Sequence, residues 1–250
     1  MMEETAAPEI SLGDGERLDD LMNGRSIIQN VREFCFSMDA VLLAHFPQPG
    51  RRVLDLGTGA GVIPLLMAGG ETHVEGIELN PVLADLARRN VRLNRLERSI
   101  GIIEGDYRDI DALVPRAGFD LVTANPPYRP VGSGRPSPAM GRACARHEIT
   151  ARLDDTVRAA AYALRDRGRL AMVHLPERLG EIMVAIHAHG LEARRLRMVQ
   201  PRAGEPPKLV LVEAVAGGAA GALKVMPPLI VRRADGDYTE EILEIYGMQP

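Results

Sequence analysis

The stretch Val53-Leu54-Asp55-Leu56-Gly57-Thr58-Gly59-Ala60-Gly61 decides the fold. Its apolar start predicts a buried strand, and its three glycines predict a tight turn into a helix. Glycines let the backbone turn sharply and let a ligand approach main-chain atoms. Dinucleotide sites favour G-x-G-x-x-G, and Val62 stands where that spacing needs glycine. We therefore expect a ligand site of another kind here, the alternative being a turn whose glycines serve only packing.

Strands and helices alternate along the rest of the chain. The predicted strands cover residues 52–56, 73–79, 100–104, 119–124, 169–175, 191–200 and 208–215. The predicted helices among them cover residues 61–68, 81–94, 154–164 and 177–189. Strands separated by helices pair in parallel, whereas the last two are joined by a Pro/Gly-rich loop and should pair antiparallel. The pattern predicts an α/β fold, a doubly wound mixed sheet of seven strands with helices on both faces.

The N-terminal part has a different composition. Residues 1–24 hold seven acids against one arginine, which predicts an acidic, partly disordered lead-in. Ser26–Val31 and Phe34–Ser37 are typical of a short hairpin, and Asp39 could cap a helix over 40–46. We therefore expect a single domain over residues 25–250, in which the hairpin and helix of residues 25–50 cover the ligand site.

Polar residues follow two further predicted strands. Glu78 ends the second strand about twenty residues past the glycine turn, where a carboxylate can accept both hydroxyls of a ribose. The alternative for Glu78 is a solvated residue or a cap. Asp106 and Tyr107 follow the third strand, and they could accept from an adenine amino group and cover a ring. Asp106 could equally, or in addition, cap a helix.

The fourth predicted strand ends in Asn125-Pro126-Pro127-Tyr128. Asn125 offers a side-chain carbonyl and Pro126 a fixed backbone carbonyl, and two carbonyls can hold the two hydrogens of an amino group. Tyr128 supplies a π face on which a planar base or amide can stack. Asn-Pro also marks rigid turns, which is the alternative interpretation.

These motifs resemble those of class I S-adenosylmethionine-dependent methyltransferases of the N-P-P-Y type. Further segments are similar to the tRNA1(Val) adenine-N6-methyltransferase-like family, so that the resemblance covers about residues 20–247. They are Ile27-Ile28-Gln29, Phe34 to Ala44, Ala145-Arg146-His147-Glu148-Ile149 and Met226-Pro227-Pro228-Leu229. The resemblance implies a Rossmann-like fold, S-adenosyl-L-methionine as cofactor, and methyl transfer to the exocyclic amino group of adenine in RNA, with tRNA expected.

The resemblance also implies a role for each matching position. Asn125, Pro126, Pro127 and Tyr128 would be catalytic and hold the target base. Glu78 would bind the ribose of the cofactor and Asp106 its adenine, while the glycine turn would line its methionine portion. The implied cofactor-binding residues are Asp39, Asp55, Gly57, Thr58, Gly59, Gly61, Glu78, Leu79, Asp106, Tyr107 and Asn125. His147 and His174 are expected to pack or to face solvent.

The net charge of −4 hides an uneven distribution. The segment 129–152 follows the N-P-P-Y motif and holds five arginines against one acid. Arg129, Arg135, Arg142 and Arg146 are its candidate RNA-binding residues, because arginine suits phosphate. A second basic stretch holds Arg194, Arg195, Arg197 and Arg202. For both stretches the alternative is a solvated, arginine-rich surface.

Other functions are weighed against RNA methylation. A protein glutamine-amide methyltransferase would also suit N-P-P-Y, but the ~50 residues before the glycine turn leave little room for a helical substrate domain. DNA adenine methylation lacks a visible target-recognition domain, and a non-catalytic cofactor-binding protein would not need Asn125–Tyr128. Two cysteines, no metal-ligand spacing, no long apolar run and an acidic start predict a cytoplasmic protein with no metal and no membrane partner. The sequence leaves the oligomeric state open.

Overall fold

The computed structural model describes residues 11–22, 24–31, 37–128, 153–218 and 221–248. The strands are β1 (Glu16–Met22), β2 (Arg25–Asn30), β3 (Arg52–Leu56), β4 (His73–Glu78), β5 (Ile100–Glu104), β6 (Phe119–Ala124), β7 (Leu164–His174), β8 (Leu191–Arg202), β9 (Leu209–Ala216), β10 (Lys224–Val225) and β11 (Leu229–Arg232). The helices are α1 (Met38–His45), α2 (Val62–Met67), α3 (Pro81–Leu93), α4 (Ile110–Leu113), α5 (Leu153–Ala163), α6 (Leu179–Ala188) and α7 (Glu240–Ile245), and Tyr107–Asp109 and Pro176–Arg178 form 3-10 turns.

The main sheet has nine strands in the order β10-β8-β9-β7-β6-β3-β4-β5, with β11 also paired to β8. The five neighbouring strands β5, β4, β3, β6 and β7 all run parallel, and β9 pairs antiparallel with both β7 and β8. The chain leaves β3 toward β4 on one side and returns as β6 on the other. This reversal makes the carboxyl ends of β3 and β6 the place where open α/β sheets bind ligands.

The α/β class, the mixed sheet and the antiparallel pairing of β8 with β9 are confirmed. The strand count is corrected from seven to nine by β10 and β11, which both run parallel to β8. These two strands are only two and four residues long, and Pro227 and Pro228 separate them, so neither shows an alternating pattern. The prediction also started β7 late, because the polar run before Arg169 reads as a loop.

The N-terminal hairpin uses a partner strand that the prediction missed. β2 pairs antiparallel with β1, which lies within the predicted lead-in. The three apolar residues of β1 are Leu18, Leu21 and Met22, and they do not alternate with its charged residues, so the segment shows no strand pattern. The predicted strand Phe34–Ser37 lies outside the described residues except for Ser37, which stands at the N-cap position of α1 without a side-chain capping hydrogen bond. The lead-in therefore contains an ordered strand.

The hairpin is attached to α3 by the side-chain amides of a buried and a half-buried asparagine, one helical turn apart. Asn90 accepts from the Ile28 N–H at 2.7 Å and donates to the Ile28 carbonyl at 3.0 Å and to the Ala60 carbonyl at 2.9 Å. Asn94 pairs in the same way with Ser26, at 3.0 and 2.7 Å. The two side chains thus form hydrogen bonds with the backbone of β2 as a neighbouring strand would, and Asn90 also joins the hairpin to the glycine turn.

A buried carboxylate attaches the end of α1 to the sheet. Glu213 on β9 lies 3.8 Å from Arg169 and 3.4 Å from Arg195. The Arg195 guanidinium stacks 4.7 Å above the Phe46 ring and donates to the Phe46 carbonyl at 3.3 Å. The segment that follows α1 is therefore held by charge, stacking and a hydrogen bond together.

Alternate residues along the central strands face two apolar clusters. Val53 and Leu121 contribute to a cluster with α1, α2, α3, α7 and the hairpin. Leu54 and Val122 contribute to a second cluster with α4, α5 and α6. The helices therefore cover both faces, and only the strand ends remain for a ligand. No helix in the described part of the chain is long and apolar enough to cross a membrane.

Candidate functional site

The glycine turn after β3 presents open backbone. Gly57, Gly59 and Gly61 have φ values of +71°, +57° and +87°, a region that L side chains rarely adopt. A Cβ at Gly57 or Gly59 would meet nothing within 4 Å, whereas one at Gly61 would lie 3.4 Å from the Cβ of Ala87. Gly57 and Gly59 therefore leave space for a ligand, and Gly61 lets α3 approach closely.

Beneath this turn lies a buried carboxyl group that is only partly satisfied. Asp55 is 1% exposed, and its Oδ1 accepts from the Thr123 hydroxyl at 2.7 Å. Burial raises the pKa of Asp55 from 3.8 to about 7, a shift that the Thr123 hydroxyl opposes and the Glu78 carboxylate assists. Within the described residues, Asp55 Oδ2 and Thr58 Oγ1 have no hydrogen-bond partner. A buried acceptor without a donor is costly unless a ligand supplies one.

Glu78 is fixed by the backbone of the glycine turn itself. Its two carboxylate oxygens accept from the N–H groups of Gly59 and Asn80, both at 2.8 Å. The side chain is 8% exposed, while the following Leu79 is 40% exposed. The strand-end acid and the glycine turn, predicted separately, thus form one unit with an exposed apolar residue beside it.

Asp106 has the helix-capping role that the sequence allowed. Its Oδ1 accepts from the Arg108 N–H at 2.9 Å, and its Oδ2 accepts from the Arg108 guanidinium at 2.8 and 2.5 Å. This guanidinium holds the pKa of Asp106 below its usual range. The Tyr107 hydroxyl lies 3.2 Å from the Thr156 hydroxyl, so that this turn is tied to α5.

The Asn125–Tyr128 turn lies directly beside the glycine turn. β3 and β6 are in register with Leu56 opposite Ala124, so that Gly57 and Asn125 follow at the same edge. Asn125 is half-buried, and no described residue hydrogen-bonds to its side-chain amide. Its carbonyl and amide groups therefore remain available to a ligand.

Tyr128 is held by three other elements. Its hydroxyl donates to Asp39 Oδ2 on α1, and its backbone carbonyl accepts from Arg178 Nη1 at 3.4 Å. Its ring centroid lies 5.4 Å from that of His174 at the end of β7, with the planes tilted by 52°. Burial and the Asp39 carboxylate raise the pKa of Tyr128, which keeps its phenol protonated.

His174 itself is neutral. It is 1% exposed, and its Nδ1 accepts from the Leu175 N–H at 2.7 Å. Burial, together with the Arg178 guanidinium, lowers the pKa of His174 to about 4. The packing role expected of His174 is confirmed, but its partner Tyr128 was not foreseen. Thr123 and Arg178 are also part of the site without any sequence signal. The register of β3 and β6 places Thr123 opposite Asp55, and the 3-10 turn after β7 brings Arg178 to Tyr128.

The two basic stretches have different outcomes. Arg129, Arg135, Arg142 and Arg146 lie outside the described residues, so their RNA-binding role stays a prediction. In the second stretch, Arg197 forms an ion pair with Glu241 at 2.5 Å and Arg202 pairs with Glu205 at 3.5 Å. Arg195 is engaged by Glu213, so the described part of this stretch is largely neutralised. No group of three or more His, Cys, Asp or Glu within the described ranges is arranged to hold a metal ion.

Similar proteins agree with this geometry. The family model described as methyltransferase small domain matches residues 37–180. A Porphyromonas gingivalis protein named tRNA1(Val) (adenine(37)-N6)-methyltransferase is 32% identical over 197 residues, which are 77% of this chain and 76% of that protein. A Tolumonas auensis protein of the same name is 34% identical over 168 residues, which are 65% of this chain and 67% of that protein.

Solved structures are similar in fold. A crystal structure described as a predicted O-methyltransferase from Agrobacterium tumefaciens superposes with a TM-score of 0.65 at 24% identity, covering 84% of this chain and 95% of that one. TrmN from Thermus thermophilus gives a TM-score of 0.52 at 26% identity, covering 71% and 47%. The chain therefore belongs to the methyltransferase small domain family and is a methyltransferase that uses S-adenosyl-L-methionine.

Proposed function

We propose that the protein methylates the exocyclic N6 amino group of adenine in tRNA. One observation carries the proposal: the Asn125 amide, which has no hydrogen-bond partner among the described residues, lies beside the open glycine turn at the switch point of the sheet. Amino-group acceptors need paired carbonyl oxygens, which Asn125 and Pro126 supply. The names of the Porphyromonas and Tolumonas relatives support adenine in tRNA as the acceptor.

The residues around the glycine turn fit S-adenosyl-L-methionine. This cofactor supplies a methyl group that its sulfonium charge already activates toward nucleophiles. Asp55 Oδ2 is a buried acceptor in need of a donor, which suits the ammonium of the methionine portion. Gly57 and Gly59 leave their backbone open, and Glu78 and Leu79 would hold the ribose and adenine portions together with Asp106 and Tyr107. Asp39 contacts Tyr128 instead, so its predicted cofactor contact has no direct support.

The acceptor site would work by alignment and charge. The Asn125 side-chain carbonyl and the Pro126 backbone carbonyl would accept the two amino hydrogens and orient the nitrogen lone pair out of conjugation. The same oxygens complement the positive charge that develops on nitrogen during transfer. Tyr128 would stack on the base, which must leave its helical stack to reach the pocket.

The proposal requires no general base. His174 accepts a hydrogen bond at Nδ1 and has its pKa lowered to about 4, so it is a weak proton acceptor. Asp39 is occupied by the Tyr128 hydroxyl. The methylated nitrogen is strongly acidic while it carries positive charge, and it therefore releases its proton to water.

The direct test is transfer of labelled methyl groups to bulk tRNA, with digestion to nucleosides and detection of N6-methyladenosine. Asn125→Ala should lower kcat by at least about 100-fold, the effect of removing one preorganised polar group, and leave cofactor binding within a fewfold. Gln48→Ala removes an exposed amide at the opposite edge of the sheet and should retain full activity. Undiminished transfer by Asn125→Ala would refute the acceptor site.

Parallel acceptors separate the alternatives. Labelled product on a release-factor protein but not on tRNA would establish a glutamine-amide methyltransferase. Cofactor binding without transfer to tRNA, ribosomal RNA, DNA or protein would indicate a binding protein. If the arginines of residues 129–152 grip phosphates, kcat/KM for tRNA should fall steeply between 50 and 200 mM salt. A cytoplasmic location follows from a tRNA substrate and stays a prediction.

A further inference from the structure

The side chain of Tyr128 has its position set by groups that lie outside the Asn125–Tyr128 turn. Its hydroxyl donates to Asp39, its ring packs against His174, and its carbonyl accepts from Arg178. These partners come from α1, the end of β7 and the 3-10 turn that follows β7. In the described part of the chain the neighbouring Asn125 amide has no such partner, so within this turn the stacking residue is the one that is fixed in advance.

Asp39 is itself a rigid acceptor. It is 7% exposed, and its Oδ1 accepts from the Ser37 hydroxyl and, at 2.9 Å, from the Ala40 N–H. Its Oδ2 is thereby directed at the hydroxyl of Tyr128, which lies 89 residues later in the sequence. α1 is in turn attached to the sheet where Arg195 binds Phe46 at its C-terminal end. Neither Asp39 nor α1 can shift without breaking these contacts.

A carboxylate accepts on both oxygens, whereas an amide accepts on only one. Asp39 needs both oxygens, since donors face each of them. An Asn at this position would place its NH2 group against the Ala40 N–H, where two donors meet, or against the Tyr128 hydroxyl, which would then accept from a neutral amide instead of donating to a carboxylate. Burial favours this sensitivity, because water cannot replace the lost acceptor.

We propose that Asp39 is a positioning residue of the acceptor site, which fixes the Tyr128 ring in the plane where the target base stacks. The proposal rests on the proposed function and gives Asp39 a role apart from the expected contact with the cofactor. In this role, its effect on turnover passes through the Tyr128 hydroxyl. His174 supports the same ring from β7.

The test is a double-mutant cycle on the full chain with Asp39→Asn, Tyr128→Phe and the double variant. Each is assayed for kcat and KM with bulk tRNA, for S-adenosylmethionine affinity by calorimetry, and for thermal stability. Asp39→Asn should lower kcat/KM for tRNA by about tenfold, which corresponds to ~1.4 kcal/mol, and change the cofactor Kd by less than about twofold. Tyr128→Phe should show a similar loss. The kcat/KM of the double variant should be no lower than that of the less active single variant.

Asp166→Asn is the matched control, because this exposed acid lies at the opposite end of the strand that ends in His174. It should behave as the wild type. Losses that multiply in the double variant would show that the two residues act independently, and a cofactor Kd that rises in proportion to the lost turnover would show that Asp39 acts on the cofactor; either result overturns the proposal. If Asp39→Asn unfolds, Tyr128→Phe alone decides, since wild-type turnover by that variant contradicts any role for the hydroxyl. Failure of the proposed function differs, because the wild type itself then forms no N6-methyladenosine in tRNA.

Discussion

Asp55→Asn should make the cofactor-free protein more stable above neutral pH. The pKa of Asp55 is raised by burial from 3.8 to about 7, so the folded state holds a proton that the unfolded state has lost. Stability from this group is therefore fully present below pH 3.8 and is lost as pH rises toward 7. Asn is neutral at every pH, and its Oδ1 can keep the Thr123 hydrogen bond, so the variant avoids this loss.

The magnitude follows from the size of the shift. Each pKa unit corresponds to 1.36 kcal/mol, so roughly three units give an upper limit of about 4 kcal/mol. The stability difference between variant and wild type should grow by about 1.4 kcal/mol per pH unit between pH 4 and 7, and stay constant above. For a chain of this length, 1 kcal/mol moves Tm by roughly 2–4 °C, which predicts a gain of up to roughly 8–16 °C at pH 8.

The assay is urea and thermal unfolding of both proteins without cofactor at pH 5, 6, 7 and 8. Only the difference between the two curves is used, because other groups titrate equally in both. The same variant should bind S-adenosylmethionine at least about tenfold more weakly, since it lacks the carboxylate proposed for the ammonium group. A flat difference across this pH range, or a variant less stable than the wild type at pH 8, would refute the reasoning about Asp55.

Three further predictions concern stability. The pKa of His174 is lowered from 6.5 to about 4, so the wild type should gain up to about 3 kcal/mol as pH rises from 4 to 6.5, and His174→Asn should lose this slope in unfolding curves. Glu213→Gln should lower the free energy of unfolding, measured in urea, by about 2 kcal/mol, because two half-buried arginines lose their carboxylate partner. Asn90→Ala should lower the free energy of unfolding by about 2–3 kcal/mol and speed hydrogen exchange at Ile28, whose buried N–H loses its acceptor. Exchange at Ile28 unchanged from the wild type would contradict the attachment of the hairpin to α3.

The pH predictions for Asp55 and His174 are linked. Between about pH 4 and 6.5 the two buried groups have slopes of opposite sign and similar size, so they nearly cancel in the wild type. Replacing either residue alone should reveal the slope of the other. A wild type with a flat stability curve in this range is therefore consistent with two strongly shifted groups, and only the variants distinguish that case from two ordinary ones.

Four of the five parallel strands could be predicted from the sequence to within one residue. β3 and β6 have the predicted ends, because strands buried on both faces form short apolar runs between turn residues, and the edge strand β5 has them as well. β1 could not be found in this way, since it lies in a separate two-stranded sheet and its apolar and charged residues do not alternate. β10 is too short for any period to show, and only its pairing with β8 defines it.

The candidate site likewise has a part that local sequence patterns predict and a part that they do not. Asp55, Glu78 and Asn125 follow strands whose carboxyl ends must meet at one edge, so local patterns suffice to bring them together. Asp39 follows no strand, and nothing within its own segment indicates Tyr128 as its partner. That contact depends on how α1 crosses the end of the sheet, which the ion pairs of Glu213 and the stacking on Phe46 determine far from the site. The acceptor side of the pocket is therefore built from long-range packing, whereas the donor side is built from local turns. Substitutions in α1 should accordingly affect tRNA turnover before they affect cofactor affinity.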